Sequence, residues 1–182
     1  MADLIVKWCN AVNPQPENED MIIRYGAELL IDNLARLLLI LCLGVLLGKG
    51  YETVIILLAF CGIRSQAGGI HAKTGFGCGV SMSGICLLSL LGGSIVDILD
   101  GSILILYLIF VGITWIFVPQ TVNREYYTEK MIRRKKCTTL FLINCFCIVA
   151  HVMTEVRGFI MWALMLEMGT VVLGWWKQKR ES

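Results

Sequence analysis

Apolar runs dominate this chain, and they restrict it to folds whose solvent is lipid. Residues 34–47, 54–63, 79–99, 102–118, 139–153 and 158–176 carry few charges, and polar stretches separate them. A helix crossing the hydrocarbon needs ~20 residues at 1.5 Å each, and the runs over 79–99, 102–118 and 158–176 come close to that length. The run over 54–63 has only ten residues. Its helix either continues through Arg64 to Gly69 inside a protein bundle or stops part-way. The expected fold is all-α: a polytopic membrane protein with about six transmembrane helices.

Composition agrees. Of 182 residues, 57% are hydrophobic and 16% charged, against ~25% charged in soluble domains, and mean hydropathy is +0.72. One domain is expected over 1–182: interfacial segments over 1–32, a transmembrane core over 33–176 and a tail over 177–182. Residues 1–12 set Leu4, Ile5, Trp8 and Val12 opposite Asp3, Lys7 and Asn10, the pattern of a helix lying in the interface. Residues 13–20 (NPQPENED) read as a linker. Residues 21–32 are amphipathic again, with Asn33 as the cap of the first span. The first 30 residues lack the cationic start, apolar core and cleavage site of a signal peptide.

Lysine and arginine orient the chain. With the amino terminus cytoplasmic, thirteen of the sixteen fall inside, and only Lys49 and Arg157 fall in outside loops. Both termini then face the cytoplasm. Five of the eight cysteines (Cys42, Cys61, Cys86, Cys145 and Cys147) sit in apolar runs, where a free thiol behaves as a small hydrophobe. No cysteine or histidine cluster has zinc spacing, so no metal or other cofactor is expected, and nucleic acid is not an expected partner.

One polar segment stands out among the spans: R-S-Q-A-G-G-I-H-A-K-T-G-F-G-C, residues 64–78. Irregular polar backbone at membrane depth is tolerated only where protein buries it or a cavity accepts it, and ionisable groups there are candidate functional groups. His71 and Cys78 supply a base near neutral pH and a thiolate former, the two parts of a thiol nucleophile. Seven residues of straight helix would separate them by ~10 Å along the axis, whereas a base must come within ~3 Å of the thiol. The helix must therefore break between them, and Gly75 and Gly77 are the expected break. Cys78 then opens the third span near a helix amino terminus.

Around this pair, Arg64 and Lys73 would favour the thiolate, Gln66 is a possible oxyanion donor, and Gly68 and Gly69 permit close backbone approach. Each has a plainer role: a satisfied interhelical amide for Gln66, small-residue helix packing for the glycines. Asn123, Asn144 and Glu167 are unranked candidates for a third catalytic member. His151 reads as an interfacial polar residue. Arg133, Arg134, Lys135 and Lys136 lie in the hydrophilic stretch 120–138, expected to be a loop. They serve either as a topology anchor on anionic lipid or as a dock for an acidic peptide tail.

G-G-I-H-A-K-T followed by Cys78, with Arg64 and Gly69 at matching spacing, resembles the signature of the AgrB family. These are membrane cysteine endopeptidases of Gram-positive bacteria that process quorum-sensing propeptides. The resemblance implies a multi-pass protein of the bacterial cell membrane acting on an AgrD-like propeptide with an amphipathic leader and an acidic tail. It implies His71 and Cys78 as the catalytic pair, a thioester acyl-enzyme, closure of a thiolactone or lactone ring, and a homodimer. Two rivals remain: another membrane thiol enzyme such as a protein acyltransferase, and a transporter or scaffold in which Cys78 is merely packed. Selective labelling of Cys78 by an active-site-directed thiol reagent separates an enzyme from the packed-thiol rival.

Overall fold

A computed structural model describes residues 17–69, 75–95, 98–120 and 128–181, and these are helical almost throughout. Six helices follow one another: α1 (Glu17–Leu46), α2 (Gly50–Ala67), α3 (Gly75–Ile95), α4 (Asp100–Phe117), α5 (Glu129–Val152) and α6 (Thr154–Glu181). Three are long and apolar enough to cross a membrane, over Ile23–Leu46, Glu129–Val152 and Thr154–Arg180, while Gly79–Ile95 and Gly101–Phe117 are shorter apolar helices. The protein is an all-α membrane protein.

Two compact units divide the chain, Met1–Leu43 and Gly44–Ser182. In the first, α1 runs without interruption past Asn33. The expected cap there is absent: the Asn33 side-chain oxygen accepts from Arg36 Nη1 at 3.3 Å instead. Arg36 also pairs with Asp32 one turn earlier, and Arg24 with Glu28. Such i, i+4 pairs let a charged stretch remain helical, so polarity does not end the helix. The expected interfacial helix over 1–12 lies outside the described residues.

The second unit is built around α6, which packs against α2, α3, α4 and α5. A helix that is apolar on all sides belongs in an interior, and α6 fits that rule: Ile160, Met161, Ala163, Leu164 and Val171 have no exposed surface. Glycines set the closest approach. A methyl group on Gly93 would lie 2.7 Å from the Phe159 backbone nitrogen, and one on Gly158 would lie 2.9 Å from the Gly93 carbonyl oxygen. Small residues that let backbones touch are a usual source of helix association in lipid. The outward side chains are also apolar, among them Leu87, Leu91, Leu104, Leu108, Phe141 and Ile148, as a lipid-facing surface requires.

Successive helices of this unit run in alternating directions between two ends. At one end Lys49 donates to Ser94 Oγ at 2.7 Å and lies over the Phe159 ring, while buried Arg157 donates to the carbonyls of Ala150 and Ile98. At the other end α2 and α4 finish, α5 begins and α6 finishes. There Phe117 meets Trp175 edge-on at 5.2 Å, and Lys136 Nζ donates to the Trp115 carbonyl at 2.9 Å. Arg64, Lys130, Arg133, Arg134, Lys135, Lys136, Lys177, Lys179 and Arg180 all belong to this second end.

The stretch expected as a loop over 120–138 is largely not one. From Glu129 onward it is the beginning of α5. Lysine, arginine, methionine and glutamate are good helix formers, and an acid in the first turn suits the helix dipole. Low hydropathy here reflects a helix that extends beyond its apolar part.

Candidate active site

The short run of α2 past its apolar part is resolved in favour of continuation: the helix carries on through Arg64 to Ala67. Gly68 ends it, with its N–H donating to the Arg64 carbonyl at 3.0 Å. Its φ of +78° and ψ of −149°, and the φ of +145° at Gly69, are backbone states open in practice only to glycine. Glycine freedom is thus used at Gly68 and Gly69. Gly75 and Gly77, the expected break, both lie inside α3. Two glycines in a first turn do not prevent a helix whose later turns are packed on α6.

The exit of α2 is fastened to the exit of α4. Gln120 donates its N–H to the Ala67 carbonyl at 2.8 Å, and Gly68 and Gln120 form an isolated parallel bridge. A methyl group on Gly68 would collide with the Gln120 carbonyl oxygen. The place where the polar segment leaves α2 is therefore set by the backbone of Gln120, far downstream in sequence.

Arg64 points from the last turn of α2 to α6. Its Nη1 lies 3.4 Å from Glu167 Oε2 and 3.4 Å from Thr170 Oγ1. The Thr170 hydroxyl lies 3.0 Å from the Glu167 backbone oxygen and 3.2 Å from Oε2. Glu167 has no exposed surface, and its Oε1 has no hydrogen-bond partner among the described residues. A methyl group on Gly69 would lie 2.8 Å from Thr170 Oγ1, 3.1 Å from Arg64 Nη1 and 3.7 Å from Glu167 Oε1. The Gly69 backbone thus rests on an ion pair whose carboxylate is buried.

Of the expected site residues, Arg64, Gly68 and Gly69 come together here. Arg64 is engaged with a carboxylate, so it is not an uncompensated charge available to a thiolate. Gln66 is half-buried and donates to the neighbouring Ser65 hydroxyl at 3.4 Å; neither an oxyanion role nor an interhelical amide follows from that contact. Cys78 lies in the first turn of α3, where free helix N–H groups favour an anion. His71, Lys73 and the Cys78 side chain lie outside the described residues. Of the three unranked acids and amides, Glu167 is the one placed beside the segment. Asn144 is exposed and donates to its own helix at Leu140, and Asn123 lies outside the described residues. The sequence did carry a signal for Glu167, an acid within the apolar run over 158–176.

The basic run divides by helical position. Arg133 and Arg134 are exposed, while Lys135 and Lys136 are half-buried. Lys136 lines a cavity of about 300 Å³ with Gln120, Ile132, Trp175, Gln178 and Lys179. Lys179 sits over the Trp175 ring at 5.1 Å and Lys136 over the Trp115 ring at 5.7 Å. Sequence reading missed Lys179 and Gln120, because they join Lys136 only where α4, α5 and α6 meet. Through Gln120 this cavity adjoins the exit of α2.

The family model for accessory gene regulator B, AgrB, matches residues 1–173. The chain belongs to the AgrB family. Neither the curated proteins nor the solved structures give a match. AgrB membership places this membrane protein in the accessory gene regulator system of quorum sensing, as a processing protein with a propeptide substrate.

Proposed function

We propose that this AgrB-family chain is a membrane-embedded cysteine endopeptidase that removes the carboxyl-terminal tail of an AgrD-like propeptide. The observation that carries the reading is the end of α2 at Ala67, followed by Gly68 and Gly69 in non-helical backbone states. One helix ends at a glycine pair two residues before His71, and the next begins three residues before Cys78. A base and a nucleophile seven residues apart need that interruption to meet.

The chemistry runs in two transfers. His71 takes the Cys78 thiol proton, and the thiolate attacks the carbonyl at the tail junction. The peptide bond breaks, the leaving amine receives the proton from His71, and a thioester to Cys78 remains. A cysteine thiol or serine hydroxyl inside the substrate then attacks that thioester. Its proton returns through His71 to the departing Cys78 sulfur, and a thiolactone or lactone closes. Hydrolysis competes with the second transfer, so a site sheltered from bulk water favours the ring.

The basic end of the bundle faces the cytoplasm in this reading, with both termini, and six helices cross the membrane. The leader of the propeptide lies on the inner leaflet, and its acidic tail enters the cavity bearing Lys136 and Lys179, with Arg133, Arg134 and Lys135 nearby. The working unit is taken as a homodimer. The test is cleavage by purified protein in lipid discs. Cys78→Ala and Cys78→Ser leave a stable protein without cleavage, and Cys86→Ala cleaves near normally. Wild-type turnover by Cys78→Ala overturns the proposal.

A further inference from the structure

The basic end of the second unit holds more positive charge than its own acids balance. Nine described lysines and arginines lie there against three acids, Glu129, Glu167 and Glu181, and Glu167 is already paired with Arg64. Two of these cations, Lys136 on α5 and Lys179 on α6, line one cavity of about 300 Å³ together with Gln120 and Gln178. Protein contacts fix their places. Lys136 Nζ donates to the Trp115 carbonyl at 2.9 Å, and Lys179 Nζ lies 5.1 Å from the centre of the Trp175 ring. Gln120 Nε2 donates to the Phe117 carbonyl at 2.9 Å. An ammonium carries three N–H donors, so a bond to one carbonyl still lets Lys136 meet an anion.

Much of the remaining wall is apolar, and it reaches the lipid-facing surface. Ile116 lines the cavity and is 69% exposed. From there Ile116, Ile109 and Ile105 follow at intervals of seven and four residues, which is one face of α4, and all three are exposed. The helix rises about 16 Å between Ile105 and Ile116, close to half of a hydrocarbon core ~30 Å thick. A cationic cleft with an apolar track one leaflet deep beside it fits a phospholipid better than a peptide. The phosphate meets the ammoniums and an acyl chain covers the track, whereas a hydrophilic acidic peptide leaves the track uncovered. Basic pockets between helix ends bind anionic headgroups in this way. We propose that the Lys136–Lys179 cavity holds the headgroup phosphate of one anionic phospholipid, with an acyl chain along Ile116, Ile109 and Ile105. An acidic tail entering the same cavity displaces that lipid. The inference goes beyond the peptidase reading and does not rest on it.

The test counts bound lipid directly. Delipidated full-length protein in detergent is titrated with phosphatidylglycerol, and each bound lipid is resolved by native mass spectrometry. One phosphatidylglycerol binds ahead of the rest. Phosphatidylcholine, whose choline cancels the phosphate charge, binds roughly tenfold more weakly. Lys136→Gln/Lys179→Gln weakens the tight site by roughly thirtyfold, a factor of about five for each charge near an anionic headgroup. Arg133→Gln/Arg134→Gln removes the same charge from exposed positions outside the cavity lining. There screening keeps the effect within about twofold. Lys136→Arg/Lys179→Arg keeps the charge and keeps the lipid. Lys179→Gln alone, at an exposed position of α6, weakens the site about fivefold and serves if the double variant does not fold. Unchanged affinity in Lys136→Gln/Lys179→Gln, equal loss in the lysine and arginine pairs, or equal binding of phosphatidylcholine overturns the inference. Inorganic phosphate that removes the lipid at matching concentration also overturns it, by showing a free-anion site that ignores the track. So does tetraglutamate that binds through the two lysines where phosphatidylglycerol does not, which leaves the cavity to acidic peptides. Because no turnover is needed, the two readings fail separately: active Cys78→Ala removes the peptidase and leaves the lipid titration untouched.

Discussion

Replacing Gly68 with alanine tests whether the exit of α2 is held by the Gln120 backbone. Two costs can be worked from the structure. The φ of +78° and ψ of −149° lie in a region used essentially by glycine alone, and another residue held there costs ~1–3 kcal/mol. The added methyl also collides with the Gln120 carbonyl oxygen, which is backbone and cannot rotate away. The bridge must then open, and the Gln120 N–H to Ala67 hydrogen bond is lost, a further ~0.5–1.5 kcal/mol. Together these amount to about 2–4 kcal/mol, which shifts the balance between the fastened and the released exit by roughly thirty- to several hundredfold. The local readout is amide hydrogen exchange over residues 116–120 in lipid discs, where protection at Gln120 falls by that factor. Cleavage falls with it, because the segment bearing His71 loses its anchor. Gly112→Ala is the control: it lies in mid-α4 with no atom within 4 Å of the added methyl, and loss of a helical glycine stabilises by ~0.5–1 kcal/mol. Unchanged exchange at Gln120 in Gly68→Ala refutes the reasoning.

Neutralising the two cavity lysines, Lys136→Gln/Lys179→Gln, raises the half-saturating propeptide level by up to roughly thirtyfold, from at most ~1 kcal/mol per ion pair. The maximal rate changes much less, and added salt mimics the loss. Arg133→Gln/Arg134→Gln, which changes exposed charges outside the cavity lining, has a smaller effect in the same titration. Gly93→Val removes folded, monodisperse protein, because the side chain would enter the Phe159 backbone; Gly84→Val, where a Cβ has nothing within 4 Å, is tolerated on size-exclusion chromatography. Single cysteines at Lys130 and Lys177 react only after membranes are opened, whereas one at Ser102 reacts from outside intact cells. Labelling of the Lys130 position from outside inverts the proposed orientation.

Much of the architecture was legible because lipid partitioning is a local property. Each apolar run declares its solvent from its own residues, and each of the six runs read from sequence lies within, or largely overlaps, one helix. The site segment was legible for the same reason: glycine, histidine and cysteine between such runs are out of place unless they do something. Helix limits were less so. Polarity marks where a helix meets water and not where it ends, which is why α1 passes Asn33 and α5 begins ten residues before its apolar part.

Only tertiary structure decided which groups share the site. Arg64 and Glu167 stand 103 residues apart, and nothing in either run specifies the rotation of α6 that turns the acid toward α2. The choice of Gly68 and Gly69 over Gly75 and Gly77 as the break likewise depended on distant backbone. Gly68 has a positive φ, and the Gln120 carbonyl occupies the space a side chain there would need. Lys136 became distinct from Arg133 and Arg134 because one side of α5 meets α4 and α6. Local chemistry determined what these residues can do; the packing of α6 determined which of them can do it together.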